Sequence, residues 1–371
     1  MLEEAFGPAP PPARGSVPGS AMENIKDYTL EGLTRWLADR GEKPFRARQL
    51  FQWLYQRRVR SYGEMTDIAK PLRQALAANF SLGALETDAI RPAADGTRKF
   101  VFRLADGKRI ESVLMPNATH YTLCVSTQVG CAMGCGFCMT ARMGLERNLT
   151  PGEIVGQVVE CARELETGKI LRNLVFMGMG EPFHNYDHLV AALDILGNDY
   201  GFGFSWRRMT VSTSGLVPAI RRFAQDRVRA SLAISLNAVD DETRDRLMPV
   251  NRRWNIAALL DACREFPRDT RSRITFEYIL MRGVTDDLRA ARKLVKLLHG
   301  MKCKVNLIPY NAGPGSPYEA PAPEHVRAFQ EELLNRGLLA TVRISKGQDI
   351  AAACGQLVTE IRSRPRRAAA G

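Results

Sequence analysis

A segment of strand character followed by a helical pattern recurs six times down this chain, and few folds accommodate that repetition. The strand candidates are residues 122–126, 173–177, 209–212, 230–236, 274–280 and 304–308. Helical patterns fill the gaps, as at 151–166 and 286–298. Such alternation implies a parallel sheet, because parallel neighbours need a crossover between them. Six units fit a partial barrel better than the full eight-fold one, so an α/β fold with a partial (βα)6 barrel is expected. In barrels of this kind the reactive residues gather at the C-terminal ends of the strands.

The first of those ends runs into Cys131-Ala132-Met133-Gly134-Cys135-Gly136-Phe137-Cys138. Thiolate is the soft ligand that both iron–sulfur clusters and zinc take. A cubane cluster that only carries electrons uses four cysteines. Three close cysteines therefore suggest a cluster with one iron open for chemistry. Ala132, Gly134 and Gly136 are small enough to let the backbone wrap closely. On the residues alone two metals stay open: an iron–sulfur cluster, or zinc with Cys124 or a distant residue as fourth ligand. Cys124 lies seven residues upstream, which is not a usual zinc-knuckle spacing.

Charge and composition narrow the setting. The 371 residues suffice for one large domain and a small one. A net charge of +12 favours a polyanionic partner, since basic patches release counterions from phosphates. Eight cysteines without a secretory signal point to a reducing cytosol. No apolar run approaches the roughly 18 residues of a membrane helix, so no membrane association is expected.

Residues 1–21 are rich in Pro, Gly and Ala and are expected to be disordered. Residues 22–90 read as a small helical domain. Leu30, Leu33, Trp36 and Leu37 form one apolar face; Phe45, Leu50, Phe51, Leu54 and Tyr55 form another. Thr66 is the expected N-cap of a third helix carrying Ile68, Leu72 and Leu76. The basic positions Lys43, Arg46, Arg48, Arg57, Arg58 and Arg60 suit either an RNA-docking face or an ordinary solvated one. Residues 91–120 contain two alternating segments, 98–104 and 108–115, joined around Asp106-Gly107. That pair predicts a tight hairpin with positive φ at both turn positions. Glu111 sits in its second strand. The barrel is expected over 121–346 and a C-terminal segment over 347–371, ending in the basic run Arg364-Pro365-Arg366-Arg367.

Other strand ends carry polar groups. Gly178-Met179-Gly180-Glu181-Pro182 permits close approach of a ligand and offers a carboxylate for an ammonium group. Ser212, the stretch Ser235-Leu236-Asn237, and Asn311 close later strands. Taken singly, each reads as strand-end capping. Cys354 lies among alanines, where a lone cysteine is ordinarily a small buried hydrophobe. Cys161, Cys263 and Cys303 read as core, and His184 and His188 as structural.

The cysteine spacing, the aromatic residue before Cys138 and the string Cys124-Val125-Ser126-Thr127-Gln128-Val129-Gly130-Cys131 resemble the RlmN family. These are radical S-adenosylmethionine enzymes that methylate C2 of adenosine in 23S ribosomal RNA and in some transfer RNAs. The resemblance runs from about residue 22 to 362. It implies one [4Fe-4S] cluster on Cys131, Cys135 and Cys138. It implies an S-adenosylmethionine site lined by Gly180, Glu181, Ser212, Ser235, Leu236, Asn237 and Asn311. It makes Cys354 the residue that is methylated, Cys124 its disulfide partner and Glu111 a candidate proton acceptor. Two S-adenosylmethionine molecules are then used per turnover. One methylates Cys354; the second yields a 5′-deoxyadenosyl radical that removes hydrogen from that methyl group. The methylene radical adds to C2, and Cys124 releases the product. An external electron donor such as flavodoxin, a monomeric state and a cytoplasmic location follow from the same resemblance. The sister family that methylates C8 of the same base shares these motifs.

Overall fold

The computed structural model describes residues 22–226, 229–266 and 273–358. The basic run at 364–367 and residues 1–21 lie outside them. Ten strands form one sheet: β1 (Glu86–Pro92), β2 (Arg98–Arg103), β3 (Arg109–Pro116), β4 (His120–Cys124), β5 (Ile170–Phe176), β6 (Met209–Thr213), β7 (Ser231–Ser235), β8 (Ile274–Leu280), β9 (Cys303–Pro309) and β10 (Ala340–Val342). Their order across the sheet is their order along the chain. β1 to β4 pair antiparallel, and β4 to β10 pair parallel. A hairpin extension and a βα array thus share one continuous sheet. Because β4–β10 are parallel, their C-terminal ends all open on one rim.

The parallel strands are close to those read from the sequence, with one addition. β10 is a seventh parallel strand, paired to β9 through Val305↔Ala340. Its three residues carry little pattern of their own. β4 starts and ends two residues before the expected 122–126, because Ser126 hands its backbone to a side chain, as described below.

The crossover helices follow ordinary capping chemistry. Helix Pro151–Arg163 starts with Pro151, and Thr150 Oγ1 accepts from Glu153 N at 3.2 Å. The Glu153 carboxylate takes Thr150 N at 3.0 Å, which completes a reciprocal box. Asp287 caps helix Leu288–Leu297 with its side chain alone, Oδ1 accepting from Arg289 N at 2.8 Å.

The hairpin forms at the expected place with a different turn. Leu104 N donates to Lys108 O, and Gly107 N donates to Leu104 O. The loop is therefore three residues, 105–107, and only Gly107 has positive φ, at 79°. A three-residue loop needs one left-handed residue at its end, so the demand falls on glycine alone.

The N-terminal segment is helical over Leu30–Ala38, Phe45–Phe51 and Lys70–Asn79. Thr66 does not cap the third helix. That helix begins at Lys70 with Pro71 in its first turn, where the missing N–H costs nothing; Ile68 is a buried residue ahead of it. Residues 86–90, placed with the helices by the sequence pattern, belong to β1. Short strands Glu23–Asn24 and Phe80–Ser81 pair parallel and close the segment. It docks on the first crossover helix: the Asp27 carboxylate accepts from Gly152 N at 2.7 Å. The ammonium of buried Lys26 donates to Leu82 O. Tyr55 meets Phe202 with ring centroids 5.9 Å apart. Among the described residues no helix is long and apolar enough to cross a membrane.

Candidate active site

Where β4 ends, the chain turns along the sheet rim and is fastened by side chains. Gln157, fully buried on its helix, accepts from Ser126 N and donates to Ser126 O, both at 2.9 Å. Ser126 Oγ donates to Glu111 O at 2.6 Å and accepts from Met179 N at 2.8 Å. Gln128 Oε1 takes Glu181 N at 2.8 Å. One polar knot thereby joins the start of β3 to the exits of β4 and β5. Gly180 sits against it with φ 105°; a Cβ there would lie 2.6 Å from the Cβ of Gln128.

The cysteine loop is pinned at its ends and middle. Cys131 N donates to Gly144 O, Gly136 N to Leu247 O, and Met139 N to Gly355 O at 2.7 Å. A two-stranded ribbon, Gln128–Gly130 with Leu145–Asn148, straddles it. Gly130 has φ 76°, and any Cβ would collide with Gly144 O. Burial pushes the Cys131 and Cys135 thiols up, Cys131 to about 12, and neighbouring thiols add to both shifts. Burial likewise raises Cys138. A bound metal would relieve that cost by taking the thiolates. All three thiols line one cavity, and a set of three close cysteine donors fits a cluster, in which each thiolate takes its own iron.

That cavity, of about 150 Å³, is closed by the strand ends opposite. Gly180, Glu181, Ser212, Ser235, Asn237 and Asn311 line it together with Cys131, Cys135 and Cys138. Leu236 does not; it is fully buried, and its carbonyl accepts from Arg244 Nε at 3.0 Å. Glu181 is buried, and its carboxylate accepts from Phe183 N at 3.0 Å and Ser214 N at 2.8 Å. Burial raises its pKa despite those bonds. A carboxylate so placed suits a cationic amino group. Asn237 adopts φ 56°, a left-handed conformation asparagine tolerates, and its Oδ1 takes Ile279 N.

Cys354 borders this cavity and also a second, smaller one of about 20 Å³ shared with Cys124 and Arg343. Only Met177 among the other lining residues borders both. All eight cysteines are thiols. Burial raises Cys354, and the Arg343 guanidinium opposes the rise. Arg343 lies 3.8 Å from Glu277, which accepts from Ser212 Oγ at 2.9 Å. Glu111 reaches neither cavity. It is buried, 3.2 Å from Lys99 Nζ, and burial outweighs that charge to raise its pKa.

Arg343, Glu277, Arg244 and Gln157 were not read from the sequence. A lone Gln within the otherwise apolar run 154–159 was the one signal that could have found the last. His184 Nδ1 lies 3.0 Å from Gln128 Nε2, and His188 Nδ1 lies 2.9 Å from Leu149 O. Cys161, Cys263 and Cys303 are buried in the core.

Comparison with known proteins gives the lineage. Residues 23–82 match the ribosomal RNA large subunit methyltransferase N-terminal domain, and 125–295 match the radical SAM superfamily. The chain is 54% identical over 343 residues to the dual-specificity RNA methyltransferase RlmN of Anaeromyxobacter sp. (strain Fw109-5), covering 91% of each. It is 50% identical to RlmN 2 of Myxococcus xanthus (strain DK1622), covering 94% of this chain and 92% of that one. The chain belongs to the RlmN family. A radical SAM methyltransferase from Sphaerobacter thermophilus superposes with TM-score 0.85 at 47% identity, over 90% of this chain and 98% of that one. An RlmN-family radical SAM fold implies S-adenosylmethionine and a [4Fe-4S] cluster.

Proposed function

We propose that this enzyme methylates C2 of adenosine in 23S ribosomal RNA and in transfer RNA, with Cys354 as the methyl relay. The observation that carries the reading is the place of Cys354, bordering the thiol-lined cavity on one side and Cys124 on the other. C2 of adenine is not nucleophilic, so direct transfer from a sulfonium would fail.

Glu181 holds the amino group of S-adenosylmethionine, and Ser212, Ser235, Asn237 and Asn311 hold its polar rim. The Cys354 thiolate, with Arg343 beside it, takes the methyl group and leaves S-adenosylhomocysteine. Cys131, Cys135 and Cys138 hold the cluster, which when bound supplies the electron that turns a second S-adenosylmethionine into an agent able to abstract hydrogen from that methyl group. The carbon on Cys354 then bonds to C2, and the base radical so formed loses one electron, which the cluster would take back when bound, together with the C2 proton. Glu111, buried against Lys99 outside both cavities, is the candidate proton acceptor elsewhere in the scheme. Attack of the Cys124 thiolate on the Cys354 sulfur breaks the sulfur–carbon bond, the released carbon takes up a proton to become the methyl group of the product, and a disulfide is left. An external donor, of the flavodoxin kind, supplies electrons and reopens the disulfide. Unstacking the target base costs a few kcal/mol, drawn from phosphate contacts on the basic N-terminal helices. The enzyme works as a cytoplasmic monomer.

The test is a Cys124→Ala variant incubated with S-adenosylmethionine, reductant and an adenosine-containing RNA. A covalent protein–RNA adduct through Cys354 is expected to accumulate. Normal turnover without an adduct would remove Cys124 from the scheme. Methylation at C8 would reassign the chemistry to the sister activity.

A further inference from the structure

Lys99 and Glu111 stand diagonally on the same face of β2 and β3, with Lys99 opposite Val113 and Glu111 opposite Val101. Their side chains are each 3% exposed and 3.2 Å apart. Both groups also reach the same loop. Lys99 Nζ donates to Ala351 O at 3.1 Å, and Glu111 Oε2 accepts from Val358 N at 3.1 Å. Those two backbone groups flank Cys354, three residues before it and four after. An ion pair thus spans the base of the loop that carries the reactive thiol.

Three features argue that the arrangement serves position rather than stability. Replacing a buried ion pair with apolar residues is commonly neutral or stabilising, so packing alone does not call for one. Ala351 adopts φ 51° and ψ 46°, a left-handed conformation that alanine avoids, at the carbonyl Lys99 holds. Residues in such conformations persist where the surroundings enforce them, and they gather at functional sites. The far side of the loop is tied independently: Gly355 O accepts from Met139 N at 2.7 Å, and Leu357 O accepts from Thr140 Oγ1 at 2.6 Å. Cys354 is therefore held between the cysteine loop and the hairpin extension.

We propose that the Lys99–Glu111 pair is a clamp that positions Cys354 between the two cavities, which makes Lys99 a positioning residue for the methyl relay. The inference rests on Cys354 being that relay. It also accounts for the hairpin extension, since β2 and β3 bring the clamp to the barrel rim.

The test uses Lys99→Met and Lys99→Arg. In protein without cluster, the Met variant is expected to raise amide exchange of residues 351–358 by about tenfold or more, leaving β6–β8 and the N-terminal helices unchanged. In cluster-loaded protein, methylation of Cys354 by S-adenosylmethionine falls by about tenfold, because misplacement of a reacting group costs rate rather than affinity. S-adenosylmethionine affinity stays within about twofold, since Lys99 does not line its cavity. Lys99→Arg, which keeps charge and donors, recovers part of both losses. Unchanged exchange at 351–358, or exchange raised equally throughout the chain, overturns the clamp. If Lys99→Met does not fold, Glu111→Gln reads the same loop by exchange, since glutamine keeps an acceptor for Val358 N but no charge for Lys99. Exchange confined to 351–358 with no methyl on Cys354 even in the parent protein keeps the clamp and defeats the relay.

Discussion

Burial pushes the Cys124 thiol up to about 12, with the Cys354 sulfur adding to the shift and Arg343 opposing it. Between the ordinary thiol value of 9.0 and about 12 the folded chain keeps a proton there that an unfolded chain would lose, so this group's contribution to stability falls as pH rises through that window. Alkylation needs the thiolate. Labelling of Cys124 by iodoacetamide, followed by peptide mass spectrometry, should therefore rise about tenfold per pH unit up to about pH 10 without levelling off. A plateau near pH 9 would contradict the shift. Gly180 gives a second expectation at this scale. Gly180→Ala places a Cβ 2.6 Å from Gln128 at φ 105°. It should cost about 1–3 kcal/mol in thermal unfolding and weaken S-adenosylmethionine binding measured by calorimetry. That three cysteines would line one cavity was legible because their spacing is local, eight residues from first to last. Arg343 and Glu277 were not, because each acquires its meaning from a neighbour far along the chain: Arg343 stands by Cys124, and Glu277 bonds Ser212.

Elements with a strong apolar period were readable, and those without one were not. β8 was found at its observed bounds, since its buried residues run almost without break. β1 was missed because nearly every residue in Glu86–Pro92 is exposed, so nothing in its pattern marks a strand. The exits of β6 and β7 hang on the short helix Asp241–Leu247, through one residue. Arg244 is fully buried and donates to Leu236 O, Ser214 O, Ser235 O and Asn251 Oδ1. Burial lowers its pKa to about 10. Arg244→Leu leaves those acceptors unsatisfied and should destabilise the fold by at least about 3 kcal/mol in denaturant melts. S-adenosylmethionine affinity should fall with it, because Ser214 and Ser235 line the cavity. Full affinity in a destabilised variant would separate the two effects and refute this link.

Across the whole molecule, the partial barrel gathers the cysteine loop and the polar strand ends on one rim, while the basic N-terminal segment presents exposed cations between its helices. Arg40 stacks on Trp36 at 3.7 Å and Arg57 on Trp53 at 4.0 Å. Arg57 and Arg60 are exposed. Arg57→Glu with Arg60→Glu should weaken RNA binding and flatten its salt dependence by about one unit of slope per lost phosphate contact. Methylation of Cys354 should be untouched; a fall in that rate would show that these residues serve the fold or the site instead. In the proposed reaction a methyl group reaches C2 of adenine by way of Cys354. The most direct measurement is to load the anaerobic enzyme with cluster and supply methyl-deuterated S-adenosylmethionine, reductant and an adenosine-containing RNA. Mass spectrometry then follows the label on the protein and on the base, with Cys354→Ala alongside. Label on Cys354 and then at C2, with none transferred by the alanine variant, is the predicted result. Label at C8, or full transfer by the alanine variant, would contradict the account.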